Sequence, residues 1–375
     1  MNEIINKDIK EILESDIINW SRFQNSNILI TGANGMLPSY LVFTLLELNK
    51  RNMNVNVYAL VRNREKAENI FQNLLNDQYL HLIVQDVAEP IHIENQIDYV
   101  IHAASQASPK YYGIDPVGTI NANVLGTINT LKLACDKKVK GYLYFSSGDV
   151  NGIVPPEKFP FKESDYGYID VLNVRSCYAE SKRMGENLCV AYHQQYNVPT
   201  KIVRIFHTFG PSMTMNDGRV FGDFCKNIAN GEDIVMNSDG SAVRLFCYVT
   251  DAIVAYLKVL LDGDEAQAYN VANLKGESSV YELAKTLVDL YPEKKLKVVR
   301  NLNSQTEASK MRSSLIKAIP DCSKIEDLGN LNKMYWLGDF PGYYATVDDD
   351  LNYFDGYIEK LKSSLKKYKT NNESI

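Results

Sequence analysis

The amino-acid sequence predicts an α/β fold built on a doubly wound parallel sheet, with a smaller mixed α/β lobe. Between residues 27 and 201, short apolar runs alternate with loops and with segments of helical periodicity. The first apolar run leads through a glycine-containing turn directly into a helical segment. This order of strands and helices implies parallel strands covered by helices on both faces, with ligands bound at the carboxyl ends of the strands.

Composition excludes several classes of protein. The 375 residues are 45% hydrophobic and 23% charged, so the chain can bury a core and is not mainly disordered. The formal charge of -6 argues against an extended nucleic-acid-binding surface. No apolar run approaches the roughly 20 residues that span a bilayer, so no membrane partner is expected. The five histidines show no HxxxH spacing, and no metal site is predicted.

The N-terminal segment, residues 1–25, is predicted to be a helical extension. Charged residues alternate there with isoleucines, which is typical of a short amphipathic helix and not of a signal peptide: Ile4, Ile5, Ile9 and Ile12. Six cysteines occur without any CxxC pair, at positions 135, 177, 189, 225, 247 and 322. Reduced thiols in a cytoplasmic protein are therefore expected.

Six strands are predicted in the alternating region. They are Ile28–Thr31, Val55–Val61, Leu80–Gln85, Tyr99–Ala103, Gly141–Ser146 and Thr200–Ile205. After Phe209 the alternation loosens into short elements and polar loops, which indicates the smaller lobe over the ligand edge of the sheet. Helical stretches at Ala252–Leu261 and Val280–Leu290 are assigned to this lobe.

The turn after the first strand is predicted to bind a dinucleotide in the manner of a Rossmann-type fold. It contains Gly32, Asn34, Gly35 and Met36. Glycines at this junction let the backbone approach a pyrophosphate, and the following helix N-terminus supplies free N–H groups. Pro38 replaces the third glycine of the usual pattern, and proline is tolerated in a first helical turn.

The end of the second strand bears on the choice between NAD and NADP. An acid there normally accepts hydrogen bonds from the ribose 2′-hydroxyl, but this strand ends in Arg62. Three roles are open for Arg62: pairing with a 2′-phosphate, stacking on the adenine, or simple exposure to solvent. The sequence does not choose among them. Asp86 and Val87, after the third strand, are candidate contacts to the adenine edge.

The candidate catalytic residues are Ser147, Asp149, Tyr178 and Lys182. Tyr178 and Lys182 have the YxxxK spacing, which places both on one face of a helix. An ammonium group there lowers the pKa of the phenol, which can then take a proton from a substrate hydroxyl. Ser147 can hydrogen-bond the same oxygen, while Asp149 is either a second base or a turn residue.

Three arginines in the second half of the chain are candidates for binding a diphosphate: Arg204, Arg219 and Arg244. Guanidinium groups pair with phosphate oxygens through two parallel hydrogen bonds. Solvated surface charges are the alternative for each of them.

Taken together, these residues resemble the extended short-chain dehydrogenase/reductase superfamily, and within it the UDP-glucuronate decarboxylases of the NAD-dependent epimerase/dehydratase family. The similarity covers roughly residues 27–251 and continues more weakly to about Phe354. The motifs that carry it are His102–Tyr112 with Pro116, Thr119, Asn123 and Gly126, then Arg175–Arg183, Arg204–Pro211, Met215–Val220 and Arg244–Asp251.

The resemblance implies roles for individual residues. Tyr178 would be the acid/base with Lys182 as its partner, Ser147 stands where the family has threonine, and Asp149 replaces a catalytic glutamate. The cofactor-binding residues would also include Ala103, Ala104, Ser105 and Asn123, together with Tyr178 and Lys182, and the lysine can hold the nicotinamide ribose. Substrate-binding residues would be Ser108, Pro109, Tyr112, Arg175, His207, Arg219 and Arg244.

The chain also departs from the family pattern. Asn151 replaces a tyrosine, His207 an asparagine and Ser212 an arginine, and Ala318-Ile319 stand where an arginine is expected. Dehydratases of this superfamily have an acid beside the glutamate, where this chain has Gly148. The resemblance therefore implies C4 oxidation of a nucleotide hexuronate, with UDP as the expected nucleotide, followed by decarboxylation. A 4-epimerase or 4,6-dehydratase is the alternative, and a non-catalytic dinucleotide-binding regulatory protein is a further one.

Four parts of the chain are expected. Residues 1–25 form the helical extension, 26–210 the dinucleotide-binding domain, 211–355 mainly the nucleotide-sugar-binding lobe, and 356–375 a C-terminal helix and polar tail. The resemblance implies a homodimer formed through two helices per subunit, near residues 117–137 and 174–195. The cofactor implied is NAD, and NADP is not excluded.

Overall fold

A computed structural model describes residues 3–211, 213, 218–301 and 317–328. Its centre is a parallel sheet, which within these residues has seven strands. In spatial order they are β11 (Gln267–Val271), β6 (Thr200–Ile205), β5 (Gly141–Ser147), β4 (Tyr99–His102), β1 (Asn27–Thr31), β2 (Asn56–Val61) and β3 (Leu80–Val84). The strand order reverses between β1 and β4, and the crevice at such a reversal is where open α/β sheets bind ligands.

The strands are apolar along their whole length because both faces of the sheet are covered. Along β1, Ile28 and Ile30 enter one buried cluster while Leu29 enters the other. Helices on the two faces are α2 (Met36–Glu47), α3 (Arg64–Ile70), α4 (Lys110–Ile114), α5 (Pro116–Lys137), α6 (Ser176–Tyr196) and α8 (Val249–Asp262). The predicted doubly wound sheet is confirmed.

Helices α5 and α6 pack side by side on one face of the sheet. The α5 helix begins at Pro116 after Asp115, whose carboxylate accepts the backbone N–H of Gly118 as an N-cap. Between the two helices, the Asn123 amide donates to Ser181 Oγ at 2.8 Å, and Ser181 in turn donates to the Tyr178 carbonyl. The packing thus fixes the helix that carries Tyr178 and Lys182.

The N-terminal helix α1 (Glu3–Leu13) packs against α2 and α8 on the opposite face. Ile9 and Ile12 are fully buried, as the isoleucine spacing predicts. Asp8 is also buried, and its carboxylate accepts hydrogen bonds from the hydroxyls of Tyr40 at 2.8 Å and Tyr248 at 2.9 Å. The extension is therefore part of the folded core.

The smaller lobe lies beyond the carboxyl ends of β5 and β6. Its elements are β7 (Thr208–Phe209), α7 (Val220–Asn230), β8 (Ile234–Met236), β9 (Val243–Leu245), β10 (Cys247–Tyr248), β12 (Glu277–Ser279), α9 (Val280–Asp289) and β13 (Val298–Arg300). They form three two-stranded pairs within the described residues: β10 with β7, β12 with β9, and β13 with β8. A capping box at Ser279 and Glu282 starts α9. The short helix α10 (Ser323–Glu326) packs instead against β11 at the edge of the central sheet.

The six predicted strands are present, each within one residue at either end. Both predicted helices of the second half are also present, as α8 and α9. However, α8 packs on the sheet, and β11 extends the sheet beside β6, although the sequence assigned both stretches to the lobe. The predicted C-terminal helix and tail, residues 356–375, lie outside the described residues, as do Ser212 and Met215.

Candidate active site

A large cavity opens at the carboxyl ends of the parallel strands, between the sheet and the lobe. Its volume is about 1290 Å³. A site for one small molecule usually measures roughly 300–1,000 Å³, so this cavity has room for two ligands. Of the predicted site residues, it is lined by Gly32, Asn34, Gly35, Met36, Arg62, Asp86, Val87, Ala103, Ala104, Ser105, Ser108, Pro109, Tyr112, Ser147, Asp149, Arg175, Tyr178, Lys182, His207, Arg219 and Arg244.

One end of the cavity is formed by the turn between β1 and α2. Gly32 has a φ of +64°, and a Cβ there would lie 2.7 Å from the Ala104 Cα, so only glycine allows this close approach to the end of β4. Gly35 is the N-cap of α2, which leaves the first N–H groups of the helix facing the cavity. The turn is a cradle of backbone donors suited to a pyrophosphate.

The same end contains a buried polar atom without a hydrogen-bond partner in the structure. Ser105 Oγ follows β4 and lines the cavity. Buried hydroxyls are almost always hydrogen-bonded, so this atom is available to a ligand. Together with the cradle at Gly32 and Gly35, it makes the cavity a good fit for a dinucleotide.

The adenosine side of the cavity is formed at the ends of β2 and β3. Arg62 Nη1 lies 3.9 Å from a carboxylate oxygen of Asp86, and both side chains are substantially exposed. The Asn34 amide donates to the Asn63 carbonyl at 3.4 Å and so joins this loop to the glycine turn. An exposed arginine and a carboxylate thus face the same part of the cavity.

Tyr178 lies at the centre of the cavity wall, in the first turns of α6. Its ring stacks on that of Tyr112, with centroids 4.9 Å apart and planes 15° from parallel. Its side chain is hydrogen-bonded to Ser147, whose Oγ also accepts the Asp149 N–H at 3.2 Å. Burial, together with the negative charge of Asp149, raises the pKa of Tyr178 to about 12, against opposing effects of Ser147 and Arg219.

Lys182 lies one helical turn after Tyr178 and is almost fully buried. Its Nζ donates to the Phe145 carbonyl at 2.6 Å and lies 5.9 Å from the centre of the Tyr178 ring. Burial lowers the pKa of Lys182 to about 7, although the carboxylate of Glu186 opposes this shift. The two side chains share one helix face as the YxxxK spacing predicts. The lysine is only partly charged near neutral pH, which weakens the expected lowering of the tyrosine pKa.

The other end of the cavity is rich in guanidinium groups. Arg175 Nη2 lies 3.7 Å from Asp149 Oδ2. His207 lies near Arg219 and Arg244, and desolvation in the cavity together with these two cations lowers the pKa of His207, although its side chain keeps an exposed surface towards the cavity. The imidazole is therefore neutral at physiological pH. This end suits a dianionic group such as a diphosphate.

The floor of the cavity near Ser147 and Asp149 is closed by an aromatic ring. A Cβ at Gly148 would overlap the ring of Phe206, which is itself buried. No side chain of any kind can project from position 148 without moving that ring. Ala318 also lines the cavity and offers only a methyl group, although the family resemblance leads one to expect an arginine there.

Two residues singled out from the sequence do not line the cavity. The prediction that Arg204 binds a diphosphate is wrong, because its side chain is fully buried and paired with Glu186. Arg204 Nη2 lies 2.8 Å from Glu186 Oε2. Asn123 lies behind the wall and contacts Ser181 of α6. Conversely, the cavity residues Phe206 and Ile5 were not predicted. Phe206 lies inside the Arg204–Pro211 motif, whereas only the helix periodicity of the N-terminal segment includes Ile5 and nothing in the sequence marks it as a cavity residue.

The described part of the chain contains neither of two other features that would point to a different function. There, no cluster of three or more histidine, cysteine, aspartate or glutamate side chains is arranged to bind a metal ion. Likewise, none of the helices in the described ranges combines the length and apolar character needed to cross a membrane.

Comparison with known proteins identifies relatives over most of the chain. "UDP-glucuronic acid decarboxylase 6" of Arabidopsis thaliana is 35% identical over 312 residues, which are 82% of this chain and 85% of the relative. "UDP-glucuronic acid decarboxylase 5" of the same plant is 37% identical over 75% of this chain and 80% of its own length. A frog relative, "UDP-glucuronic acid decarboxylase 1" of Xenopus tropicalis, is 34% identical over 72% of this chain and 61% of its own.

Solved structures with the same fold include two sugar-nucleotide epimerases. UDP-glucose 4-epimerase from Thermotoga maritima has a TM-score of 0.67 at 21% identity, over 81% of this chain and 92% of that one. UDP-glucuronic acid 4-epimerase from Bacillus cereus, in complex with UDP-glucuronic acid and NAD, has a TM-score of 0.66 at 20% identity, over 80% and 92%. The model of the NAD dependent epimerase/dehydratase family matches residues 28–272. With its dinucleotide cradle, its Tyr178 and Lys182 pair and these relatives, the chain belongs to the NAD dependent epimerase/dehydratase family.

Proposed function

We propose that this protein converts a UDP-linked hexuronate, UDP-glucuronate in the first instance, into a UDP-pentose by C4 oxidation, decarboxylation and re-reduction. The observation that carries the proposal is the convergence of Ser147, Asp149 and Tyr178 in a cavity large enough for a dinucleotide and a nucleotide sugar. Relatives at 33–37% identity are named UDP-glucuronic acid decarboxylases, which supports this substrate.

NAD is the proposed cofactor. The backbone at Gly32 and Gly35 would hold the pyrophosphate of NAD, and the buried hydroxyl of Ser105 would find its hydrogen-bond partner in the cofactor. Arg62 and Asp86 would face the adenosine. When bound, NAD supplies a reversible hydride acceptor, so the overall conversion consumes no oxidant. A 20% identical neighbour of the same fold holds NAD, which supports this choice over NADP.

Tyr178 is the proposed base for the C4 hydroxyl of the sugar. Ser147 donates a hydrogen bond to the Tyr178 side chain and so stabilises the phenolate form. Stacking on Tyr112 fixes the direction of the phenol oxygen. The proton held at Tyr178 Oη is returned to the sugar oxygen at the end of the cycle, which leaves the enzyme unchanged.

Decarboxylation follows from the chemistry of the oxidised sugar. A 4-keto hexuronate is a β-keto acid, so the bond to the carboxylate breaks as CO2 leaves and its electron pair enters an enolate. Hydrogen-bond donors near the developing oxyanion stabilise that enolate. Asp149, 3.7 Å from Arg175, is the proposed residue that handles the proton added at C5.

An epimerase that only inverts C4 is the second candidate. Asp149 is one methylene shorter than the glutamate expected from the family resemblance, and the lost reach would remove C5 chemistry while leaving C4 oxidation intact. A 4,6-dehydratase is disfavoured because the ring of Phe206 leaves no room for an acid at Gly148. A regulatory protein without catalysis is disfavoured because Ser147, Tyr178 and Lys182 are all in place.

The deciding experiment is incubation with UDP-glucuronate and NAD+ in deuterated water, followed by mass spectrometry and proton NMR of the products. A UDP-pentose that has lost the carboxyl group and carries deuterium at C5 supports the decarboxylase. An unchanged mass with inverted C4 makes the protein an epimerase. Absence of any product with UDP-glucuronate, while NAD+ binds, overturns the proposed substrate.

We also propose that the protein is a homodimer formed through α5 and α6. The outer faces of these helices expose apolar side chains, at 65% for Val117, 42% for Leu125 and 49% for Met184. Apolar side chains on adjacent helices favour a helix–helix contact with a second subunit. Light scattering after gel filtration should show a dimer, and Leu125→Asp should shift it to monomer.

A further inference from the structure

A buried carboxylate outside the cavity lies directly behind the catalytic lysine. Glu186 follows Lys182 by four residues on α6, so both side chains occupy the same helix face. They are anchored on consecutive residues at the end of β5. Lys182 Nζ donates to the Phe145 carbonyl at 2.6 Å, and Ser146 Oγ donates to Glu186 Oε1 at 2.5 Å. The ammonium and the carboxylate thus lie on the same side of the helix and are anchored on adjacent residues of β5, without a direct ion pair between them.

The other groups around Lys182 carry no negative charge near neutral pH. The ring of Tyr144 on β5 lies 5.0 Å from Nζ, and burial holds its pKa well above the usual value. His102 on β4 is neutral because burial and Lys182 lower its pKa to about 3. Cys189 on α6 remains a thiol because burial raises its pKa. On the cavity side, Asp149 and Arg219 have opposite charges and act on Tyr178.

Arg204 limits how much of the carboxylate charge reaches the lysine. Its Nε and Nη2 donate to the two oxygens of Glu186 at 2.9 and 2.8 Å, in a bidentate pair. The guanidinium also donates to the Glu163 carbonyl and the Tyr166 hydroxyl, which fixes its position. The guanidinium therefore fixes the carboxylate in place and offsets part of the charge that acts on Lys182.

We propose that Glu186 is a positioning residue that keeps Lys182 protonated, and that its pair with Arg204 sets how strongly it does so. A buried lysine without a counter-charge becomes neutral, and a neutral Lys182 loses its ability to stabilise the Tyr178 phenolate. The proposal rests on the proposed role of Tyr178 and Lys182, although its first test needs neither substrate nor cofactor.

The test is the titration of Lys182 in the free protein. Brief labelling with acetic anhydride between pH 5 and 9 modifies only the neutral amine, and peptide mass spectrometry gives the midpoint at Lys182. The wild type should titrate near pH 7. Glu186→Gln should lower the midpoint by about one pH unit. At pH values above the midpoint, the protonated fraction of Lys182 is then about tenfold smaller than in the wild type. Glu180→Gln, on the same helix but half-exposed and paired with Arg183, is the matched control and should leave the midpoint unchanged.

A purely structural ion pair would give a different result. Glu186→Gln leaves Arg204 buried without its partner and lowers stability. Should that variant fail to fold, Glu186→Gln/Arg204→Met removes both charges, and replacement of a whole buried pair is often close to neutral for stability. The double variant should also lower the midpoint, but by less than Glu186→Gln alone, because the opposing charge of Arg204 is removed as well. A midpoint equal to that of the wild type, in either variant, overturns the proposal.

Binding of NAD+ gives an independent reading where labelling of Lys182 is too slow. Lys182 is a predicted ligand of the nicotinamide ribose, and an ammonium donates stronger hydrogen bonds than a neutral amine. Calorimetry on the wild type should therefore show affinity falling as the pH rises through about 7. In Glu186→Gln the fall should begin about one pH unit lower, with wild-type affinity recovered at the acidic end. A wild-type affinity that is constant from pH 6 to 9, or a variant weakened equally at every pH, overturns the proposal.

Discussion

The ring of Phe206 occupies the space into which any side chain at position 148 would project. Phe206 is 4% exposed and packs near Phe161, with ring centroids 6.1 Å apart, so it has little freedom to move. Gly148 lies between Ser147 and Asp149, and the ring therefore fixes the backbone that carries both. This contact links the hydrophobic packing beneath the cavity to the placement of two proposed catalytic groups.

Gly148→Ala should therefore destabilise the protein, because the added methyl group overlaps a buried ring. We expect a loss of about 1–3 kcal/mol in the free energy of unfolding, measured by urea denaturation. Turnover should also fall, because Ser147 and Asp149 shift. Phe206→Leu in the same chain should recover part of the stability. Equal stability of Gly148→Ala and the wild type would contradict the packing described here.

Tyr178→Phe should abolish turnover while leaving the cofactor site intact. The variant keeps the ring that stacks on Tyr112 and loses only the hydroxyl. Loss of a general base lowers kcat by roughly 10²–10⁴. Calorimetry should show NAD+ affinity close to that of the wild type. Tyr168→Phe, at an exposed tyrosine outside the cavity, should retain full activity. A Tyr178→Phe enzyme with near-normal kcat would rule out the proposed base.

Asp149→Asn should shift the pH dependence of the reaction. The Asp149 charge raises the pKa of Tyr178, because a negative neighbour disfavours the phenolate. Its removal should lower that pKa, so the rise of kcat/KM with increasing pH moves to lower pH. The plateau should fall at the same time if Asp149 handles the C5 proton.

The matched control for this shift is Asp170→Asn, an exposed aspartate in the segment before α6. Its profile should follow that of the wild type. An Asp149→Asn profile that keeps its position on the pH axis, or moves to higher pH, would show that the Asp149 charge does not act on Tyr178.

The sheet was predictable because parallel strands buried on both faces appear as continuous apolar runs. β11 escaped prediction because Gln267 and Asn270 interrupt its apolar pattern. Most proposed site residues were predictable for a related reason, since motifs that follow parallel strands meet at one edge of the sheet. Arg204 was misjudged because its partner, Glu186, lies on a different element, and burial of a single arginine leaves no local signal.

The part of the fold least accessible from sequence is the attachment of the N-terminal helix. Helix periodicity predicts which isoleucines of α1 are buried, but it gives no sign that Asp8 is buried too. Its partners are Tyr40, 32 residues away, and Tyr248, 240 residues away. A buried carboxylate is identified only by the donors around it, and these come together only in the folded chain.

Asp8→Ala should consequently lower stability by more than an ordinary surface substitution. The hydroxyls of Tyr40 and Tyr248 would be left buried without their acceptor, at a cost of about 2–4 kcal/mol in the free energy of unfolding. Urea denaturation measures the loss, and Lys7→Ala, exposed on the same helix, is the control. Combining Asp8→Leu with Tyr40→Phe and Tyr248→Phe removes donors and acceptor together and should restore most of the stability. If Asp8→Ala matches Lys7→Ala, the carboxylate does not anchor α1, and the helix is held mainly by its apolar face, which includes Ile9 and Ile12.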